Sequence, residues 1–238
     1  GLNENQREQF WVVQCLMTES KPLPSFDSVL RKTRLPRKTY EQIMLDIYRT
    51  LPDVAQKDPF FINSLYRGLV MHAAFRPDIG YVQGMNFLWG IIVLCNSKPH
   101  QQLLIAEHVV RVILPYYFTT DFVGAAIDAR VLSYYMQRRC TNLEKHMRER
   151  FDGSLHAMFL RICSSWFTSM FANHLPRTLA MSLWDLVMMR GAVALFEFTL
   201  RLFIYGQKRG WLAKFTDWPA FLTKLEQRML ELTSLEPI

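Results

Sequence analysis

An all-α fold of many short and medium helices is what this chain predicts, on three observations. Apolar residues recur at helical spacing along nearly the whole length, and no run alternates as a strand does. The ten glycines and eleven prolines read as punctuation between helical stretches and give no low-complexity bias. Half of the 238 residues are hydrophobic and 21% are charged, a balance that excludes a disordered chain and supplies a sizeable core.

The elements follow in order. Phe10, Val13, Leu16 and Met17 mark an apolar stripe on a first helix, which Pro22 and Pro24 break. Phe26, Val29 and Leu30 start a short element that Pro36 ends. Tyr40 to Thr50 is the next helix, with Ile43 and Ile47 one turn apart on its inner face. Pro52 disfavours helical geometry at Leu51 and stops it there. Pro59 opens a helix towards Ala74, with Phe60, Leu65, Leu69 and His72 turned inward. Pro77-Asp78-Ile79-Gly80 is a turn, and a very apolar helix runs from Met85 to Cys95. Further helices are predicted from His100 to Leu114, Gly124 to Arg139, Asn142 to Glu149, Leu155 to Asn173 and Pro176 to Arg190. Gly191 suits a helix C-cap. The last helices run from Ala192 to Tyr205 and from Pro219 to Leu232.

Several function classes are disfavoured by composition. Cys15, Cys95, Cys140 and Cys163 form no C-x-x-C pair, and no histidine pair has zinc-ligand spacing. They read as buried thiols of a reducing compartment. Met85 to Cys95 is far shorter than the roughly 20 residues of a helical membrane span, so it reads as a core helix. The polar start, Gly1 to Arg7, lacks the apolar core of a signal peptide and suggests a piece of a longer protein. A formal net charge of +7 favours acidic partners in general. One basic cluster stands out, Arg31, Lys32, Arg34, Arg37 and Lys38, without a zinc finger or other nucleic-acid motif beside it. A solvated loop is its simplest reading.

Two strings carry chemistry. Ile43-Met44-Leu45-Asp46-Ile47-Tyr48-Arg49-Thr50-Leu51-Pro52 sets an arginine at the end of a helix. Tyr81-Val82-Gln83-Gly84-Met85-Asn86 sets a glutamine at the start of one. An arginine neutralises charge on a transferred phosphoryl group, and a glutamine holds the attacking water. Neither binds a nucleotide alone, so the nucleotide has to arrive on a partner. Asp46 and Arg49 share a helical face. They read either as a surface ion pair worth under about 1 kcal/mol or as an acceptor that orients the arginine. Gln83 reads either as a first-turn polar residue or as an amide held on a rigid helix. Gly84 beside it permits close approach of another backbone, and Met85, Leu88, Trp89 and Ile92 anchor the helix beneath.

The pattern I-x-x-D-x-x-R-T-x-P followed by G-Y-x-Q-G-M-N resembles the TBC domain, the GTPase-activating module for Rab-family small GTPases. A third signature, Trp166-Phe167, Phe171, Leu175-Pro176, Leu183-Trp184-Asp185 and Gly191, and an opening Arg7-to-Trp11 element resemble the same family. The resemblance covers nearly the whole chain. It departs at Ser182, where the family often has arginine, and at Arg190, where it often has glutamate.

The resemblance implies an all-helical, two-lobed domain, divided about residues 1–123 and 124–238, with flanking regions of a longer protein absent. It implies Arg49 as an arginine finger and Gln83 as a glutamine finger that replaces the GTPase's own. Asp46, Tyr81, Gly84 and Asn86 become supporting residues, and Trp166, Trp184 and Asp185 packing residues. No cofactor or metal of its own is expected, because GTP and Mg²⁺ travel on the GTPase. The expected partner is a Rab-family small GTPase, with no nucleic acid and at most peripheral membrane association. Oligomeric state is open. A cytoplasmic domain recruited to Rab-bearing membranes is the expected location. Two alternatives stay open: a Rab-binding scaffold of the same fold without catalytic acceleration, and a basic helical scaffold for nucleic acid or anionic lipid.

Overall fold

The backbone is a succession of helices, and none of the described residues lies in a strand. The computed structural model describes residues 2–18, 23–24, 28–29, 31, 33–119, 121–151, 155–211 and 215–233. The chain divides into two compact units, residues 1–119 and 120–238.

In the first unit lie α1 (Glu4–Thr18), α2 (Arg37–Ile47), the single turn α3 (Pro52–Ala55), α4 (Pro59–Phe75), α5 (Met85–Cys95) and α6 (Pro99–His108). A π-helical turn, Val109–Ile113, continues α6. Helix α5 occupies the centre, as its composition predicts: Met85, Leu88, Trp89, Ile91 and Ile92 are each at most 2% exposed. A helix apolar on every side is stable only inside a core. Each such side chain contributes about 1.5–3 kcal/mol on burial. Helices α2, α4 and α6 all pack against α5. Pro59 opens α4, and the Asp58 carboxylate caps it by accepting from the Phe60 N–H at 2.9 Å.

A buried polar line stiffens this core. The Trp89 indole N–H donates to His72 Nδ1 at 3.0 Å, so His72 carries its ring proton on Nε2 and donates to Glu107 Oε1 at 2.9 Å. Arg76 donates to the other Glu107 oxygen at 3.1 Å. Burial pushes the Glu107 carboxyl up, but the His72 hydrogen bond and the Arg76 charge outweigh it and hold the group below its ordinary value.

Three expectations need correction here. Most of the predicted stripe on α1 faces out: Phe10 is half-buried, Val13, Leu16 and Met17 are exposed, and Arg7, Trp11 and Cys15 are buried instead. Those three recur every four residues, and the large indole at their centre decides which face is inside. Phe60 is 82% exposed, while Phe61 beside it is buried. In the first turn of α4 a shift of one residue rotates the side chain by about 100°. Leu65, Leu69 and His72 are buried as predicted. Finally, α2 ends at Ile47, short of Thr50, and tight turns follow, with the Arg49 and Thr50 N–H groups donating three residues back to Asp46 and Ile47. Leu51 then adopts a left-handed conformation (φ 47°) before Pro52. This reversal turns the chain away just after Arg49.

The second unit contains α7 (Val123–Arg139), α8 (Thr141–Arg150), α9 (Leu155–Ile162), α10 (Arg177–Arg190), α11 (Val193–Lys208) and α12 (Trp218–Leu230). The long helix predicted from Leu155 to Asn173 is interrupted. A π-helical turn, Cys163–Phe167, follows α9, and Met170 and Phe171 take positive φ values. The Trp184 indole N–H donates to the Met170 carbonyl at 3.1 Å, so a tertiary bond takes up a carbonyl released at the break. Gly191 closes α10 at φ 69°, donating to Val187 at 2.7 Å. The other predicted helices are present with ends shifted by a few residues.

All four cysteines are buried thiols outside any disulfide. Of the basic cluster, Arg31, Arg34, Arg37 and Lys38 are exposed, and Arg37 pairs with Glu41 at 2.8 Å. Val29 is buried. Pro22, Phe26, Leu30 and Lys32 lie outside the described residues. Among the described residues, no helix is long and apolar enough to cross a membrane.

Candidate functional site

Arg49 lies in the turn that follows α2. Its guanidinium Nη2 meets Asp46 Oδ1 at 2.6 Å, with the arginine side chain half exposed and the aspartate 6% exposed. Asp46 is therefore a buried acceptor, which departs from the ordinary surface pair. The pairing leaves other guanidinium N–H groups facing outward while it limits the swing of the side chain. The second Asp46 oxygen accepts the Tyr81 hydroxyl at 2.5 Å. Burial, reinforced by this bond to a carboxylate, pushes the Tyr81 hydroxyl well above the usual phenol range. Tyr81 thus remains a donor across the neutral range.

Gln83 is exposed in a turn that immediately precedes α5. The Met85 N–H donates to the Val82 carbonyl at 3.1 Å, which puts Gln83 and Gly84 at the two central positions. Gly84 has φ 106°, a conformation that side-chain-bearing residues avoid. Within the chain, this backbone angle is the requirement for glycine at 84. The Gly84 N–H donates to Asn86 Oδ1 at 3.1 Å. Asn86 is fully buried, and its Nδ2 donates to Thr50 Oγ1 at 2.7 Å. The Thr50 hydroxyl in turn donates to the Asp46 carbonyl at 2.8 Å.

Two hydrogen-bonded lines thus join the arginine turn to the glutamine turn. One runs from Arg49 through the Asp46 carboxylate to Tyr81. The other runs from the Asp46 carbonyl through Thr50 and Asn86 to Gly84. Asp46, Tyr81, Gly84 and Asn86 all belong to this network, with Arg49 and Gln83 at its solvent-facing edges.

Trp166, Trp184 and Asp185 belong to the second unit. Both tryptophans are fully buried, and the Trp166 indole N–H donates to Glu226 at 2.8 Å. Asp185 is partly exposed. At the two departures from the family pattern, the Ser182 hydroxyl donates to the Thr178 carbonyl at 3.0 Å, and Arg190 binds Glu197 through both terminal nitrogens at 2.8 and 2.9 Å.

Sequence reasoning quoted Thr50 within the arginine string but missed its tertiary role, and it missed Gly90. A Cβ at Gly90 would lie 2.9 Å from Thr50 Cγ2, so the glycine admits the Thr50 methyl against α5. Neither role has a local signal, because both are pairings across the fold. Also unread were the exposures of Leu45 (76%) and Tyr48 (63%) beside Arg49. Among the described residues, no three histidine, cysteine or acidic side chains gather in a group that would hold a metal.

Fold and site together define an all-helical domain that presents an arginine and an amide over a shared buried polar network. Residues 4–209 match the family described as the Rab-GTPase-TBC domain, and the chain belongs to that family. It is similar to growth hormone-regulated TBC protein 1-A of Danio rerio, at 27% identity over 213 residues, 87% of this chain and 58% of that protein. Growth hormone-regulated TBC protein 6 of Caenorhabditis elegans is 28% identical over 205 residues, 85% of this chain and 58% of its own length. The chain therefore spans a little over half the length of these relatives. The crystal structure of the Chlamydomonas flagellar RabGAP TBC domain superposes with a TM-score of 0.78 at 17% identity, covering 100% of this chain and 79% of that one. The Ypt/Rab-GAP domain of Gyp1p gives 0.65 at 17% identity, covering 98% and 77%. At such identity these two likenesses establish the fold.

Proposed function

We propose that this domain accelerates GTP hydrolysis by a Rab-family small GTPase, lending it Arg49 and Gln83 in trans. The observation that carries this reading is the state of Arg49: half exposed, yet held at 2.6 Å by a buried carboxylate beside an exposed glutamine turn. A guanidinium restrained this way loses little freedom when it meets a phosphate. Membership of the Rab-GTPase-TBC family supports the choice of partner.

GTP and Mg²⁺ arrive bound to the GTPase. Water attacks the γ-phosphorus, a P–O bond forms, and the bond to the β–γ bridging oxygen breaks with its electron pair leaving on GDP. Arg49 neutralises charge on the phosphoryl and leaving oxygens as they develop it. The Gln83 carboxamide accepts from the attacking water and aligns it. Asp46 and Tyr81 set the direction of the arginine, while Asn86 and Gly84 hold the turn that carries Gln83. Trp166, Trp184 and Asp185 support the fold and touch no reacting atom. An arginine finger in trans is worth about 10³–10⁵ in rate, or roughly 4–7 kcal/mol. The reaction takes place at the cytoplasmic face of membranes that carry the GTPase.

Single-turnover GTP hydrolysis across a panel of Rab proteins tests the reading. A responsive Rab is expected to lose most of its acceleration with Arg49→Ala and with Gln83→Ala. Full acceleration by either variant would remove the corresponding finger. Complex formation that strengthens with GDP and aluminium fluoride is expected of a catalyst, since it binds the transition state best. Equal binding to the GTP-loaded form would make the domain a scaffold.

A further inference from the structure

We propose that Thr50 is a positioning residue that holds the Gln83 turn in register with Arg49, an inference that rests on the two-finger reading above. The side chain is fully buried. Its bond to the Asp46 carbonyl, four residues back, is a common local habit of threonine and by itself implies nothing. The second bond is different. Thr50 Oγ1 accepts from Asn86 Nδ2 at 2.7 Å across 36 residues of sequence. The same Asn86 side chain then receives the Gly84 N–H through Oδ1. The hydroxyl of the residue that follows Arg49 is therefore joined, through the one Asn86 side chain, to Gly84, the residue that follows Gln83.

The surroundings hold Thr50 in one place. The absence of a side chain at Gly90 seats its methyl on α5. The left-handed Leu51 that follows turns the chain away, so Thr50 cannot drift along a continuing helix. Valine has nearly the shape of threonine and lacks the hydroxyl. In Thr50→Val the Asn86 amide loses this buried acceptor and has to turn to find another. That rotation withdraws Oδ1 from the Gly84 N–H and frees the turn that carries Gln83. The arginine keeps both Asp46 and its exposure. The loss thus falls on the alignment of water by Gln83, and docking of the GTPase is untouched.

The experiment measures Thr50→Val, Thr50→Ser and Thr50→Val combined with Gln83→Ala, alongside the parent domain. Thr50→Val is expected to lower kcat of stimulated GTP hydrolysis by on the order of ten- to a hundredfold, the scale of a small misplacement of a catalytic group, with KM unchanged. Thr50→Ser, which keeps the hydroxyl, is expected to restore kcat. In the Gln83→Ala background the valine is expected to cost nothing further. Amide hydrogen exchange at Gly84 is expected to quicken in Thr50→Val and to stay slow in Thr50→Ser. A Thr50→Val domain with parental kcat, or one whose kcat falls equally with Gln83 absent, overturns the assignment. So does unchanged Gly84 exchange. If the parent domain stimulates no Rab, the functional reading fails, and the exchange measurement still decides whether Thr50 holds the turn.

Discussion

Tyr81 donates its hydroxyl to Asp46 at 2.5 Å, across 35 residues of sequence, and so occupies the one carboxylate oxygen that Arg49 does not use. The buried carboxylate is thereby satisfied from two sides, and the arginine has a single bonded position open to it. Removing the acceptor should be worse than removing the donor. Asp46→Ala is expected to reduce stimulated hydrolysis by on the order of a hundredfold, and Tyr81→Phe by a smaller factor, in single-turnover assays with a responsive Rab. Equal, negligible effects of the two variants would show that Arg49 finds its place without them.

Arg49→Lys is expected to recover little of the activity lost in Arg49→Ala. The ammonium carries the charge but lacks the planar fork that contacts two oxygens. Arg49→Ala is expected to cost more stability than Arg49→Lys, because it leaves the buried Asp46 carboxylate without its cation, whereas the lysine keeps the charge. Melting temperature and stimulated hydrolysis, read on the same preparations, check the two halves of this statement.

Leu45 and Tyr48 expose large apolar surface at 76% and 63%, on the segment that leads into Arg49. If a GTPase docks over Arg49, it covers them. Leu45→Asp is expected to raise KM for the GTPase by about tenfold, the value of roughly 1.4 kcal/mol of binding, while kcat at saturation stays near the parent value. A KM that does not move would place the docking surface elsewhere.

Gly90→Ala should disturb the site from beneath. The new Cβ would stand 2.9 Å from Thr50 Cγ2 and 3.3 Å from Leu51 Cδ1. Overpacking of this kind costs about 1–3 kcal/mol. Chemical denaturation is expected to show that loss, and stimulated hydrolysis is expected to fall with it because the Arg49 turn is pushed off α5.

His174 gives the second unit a pH dependence. Burial, together with the charge of Arg161, lowers its pKa from 6.5 to about 4. Its Nδ1 is buried without a partner, and its Nε2 lies 3.3 Å from the Ser165 hydroxyl and 3.6 Å from Glu226, too far from the carboxylate to offset the burial. The unfolded chain therefore binds the proton more readily than the folded one between those two values. Stability is fully present above about 6.5, falls as pH drops through that window and levels near 4, by roughly 3 kcal/mol in all. His174→Gln is expected to flatten the slope of denaturation free energy against pH in that window. An unchanged slope would assign it to other groups.

How much was legible in advance differs by element. Helix α5 was readable from Met85 to Cys95 because every face is apolar and a core helix needs nothing else. Helix α1 was not, since its exposed face carries more apolar residues than its buried one, and only packing of the Trp11 indole chose between them. The end of α2 was misplaced by three residues because local propensity does not see Leu51 turning left-handed before Pro52. The break after α9 was invisible for the same reason, as its released Met170 carbonyl finds a partner in Trp184, fourteen residues on.

By itself the sequence determined an all-helical domain and its family, and it marked the two strings that contain Arg49 and Gln83, because periodicity and short motifs are local properties of a chain. Tertiary structure alone decided that Asp46 is a buried acceptor, that Tyr81 completes it, and that Thr50 and Asn86 tie one turn to the other. Those bonds span dozens of residues, and a hydrogen bond depends on distance in space, to which separation along the chain is no guide.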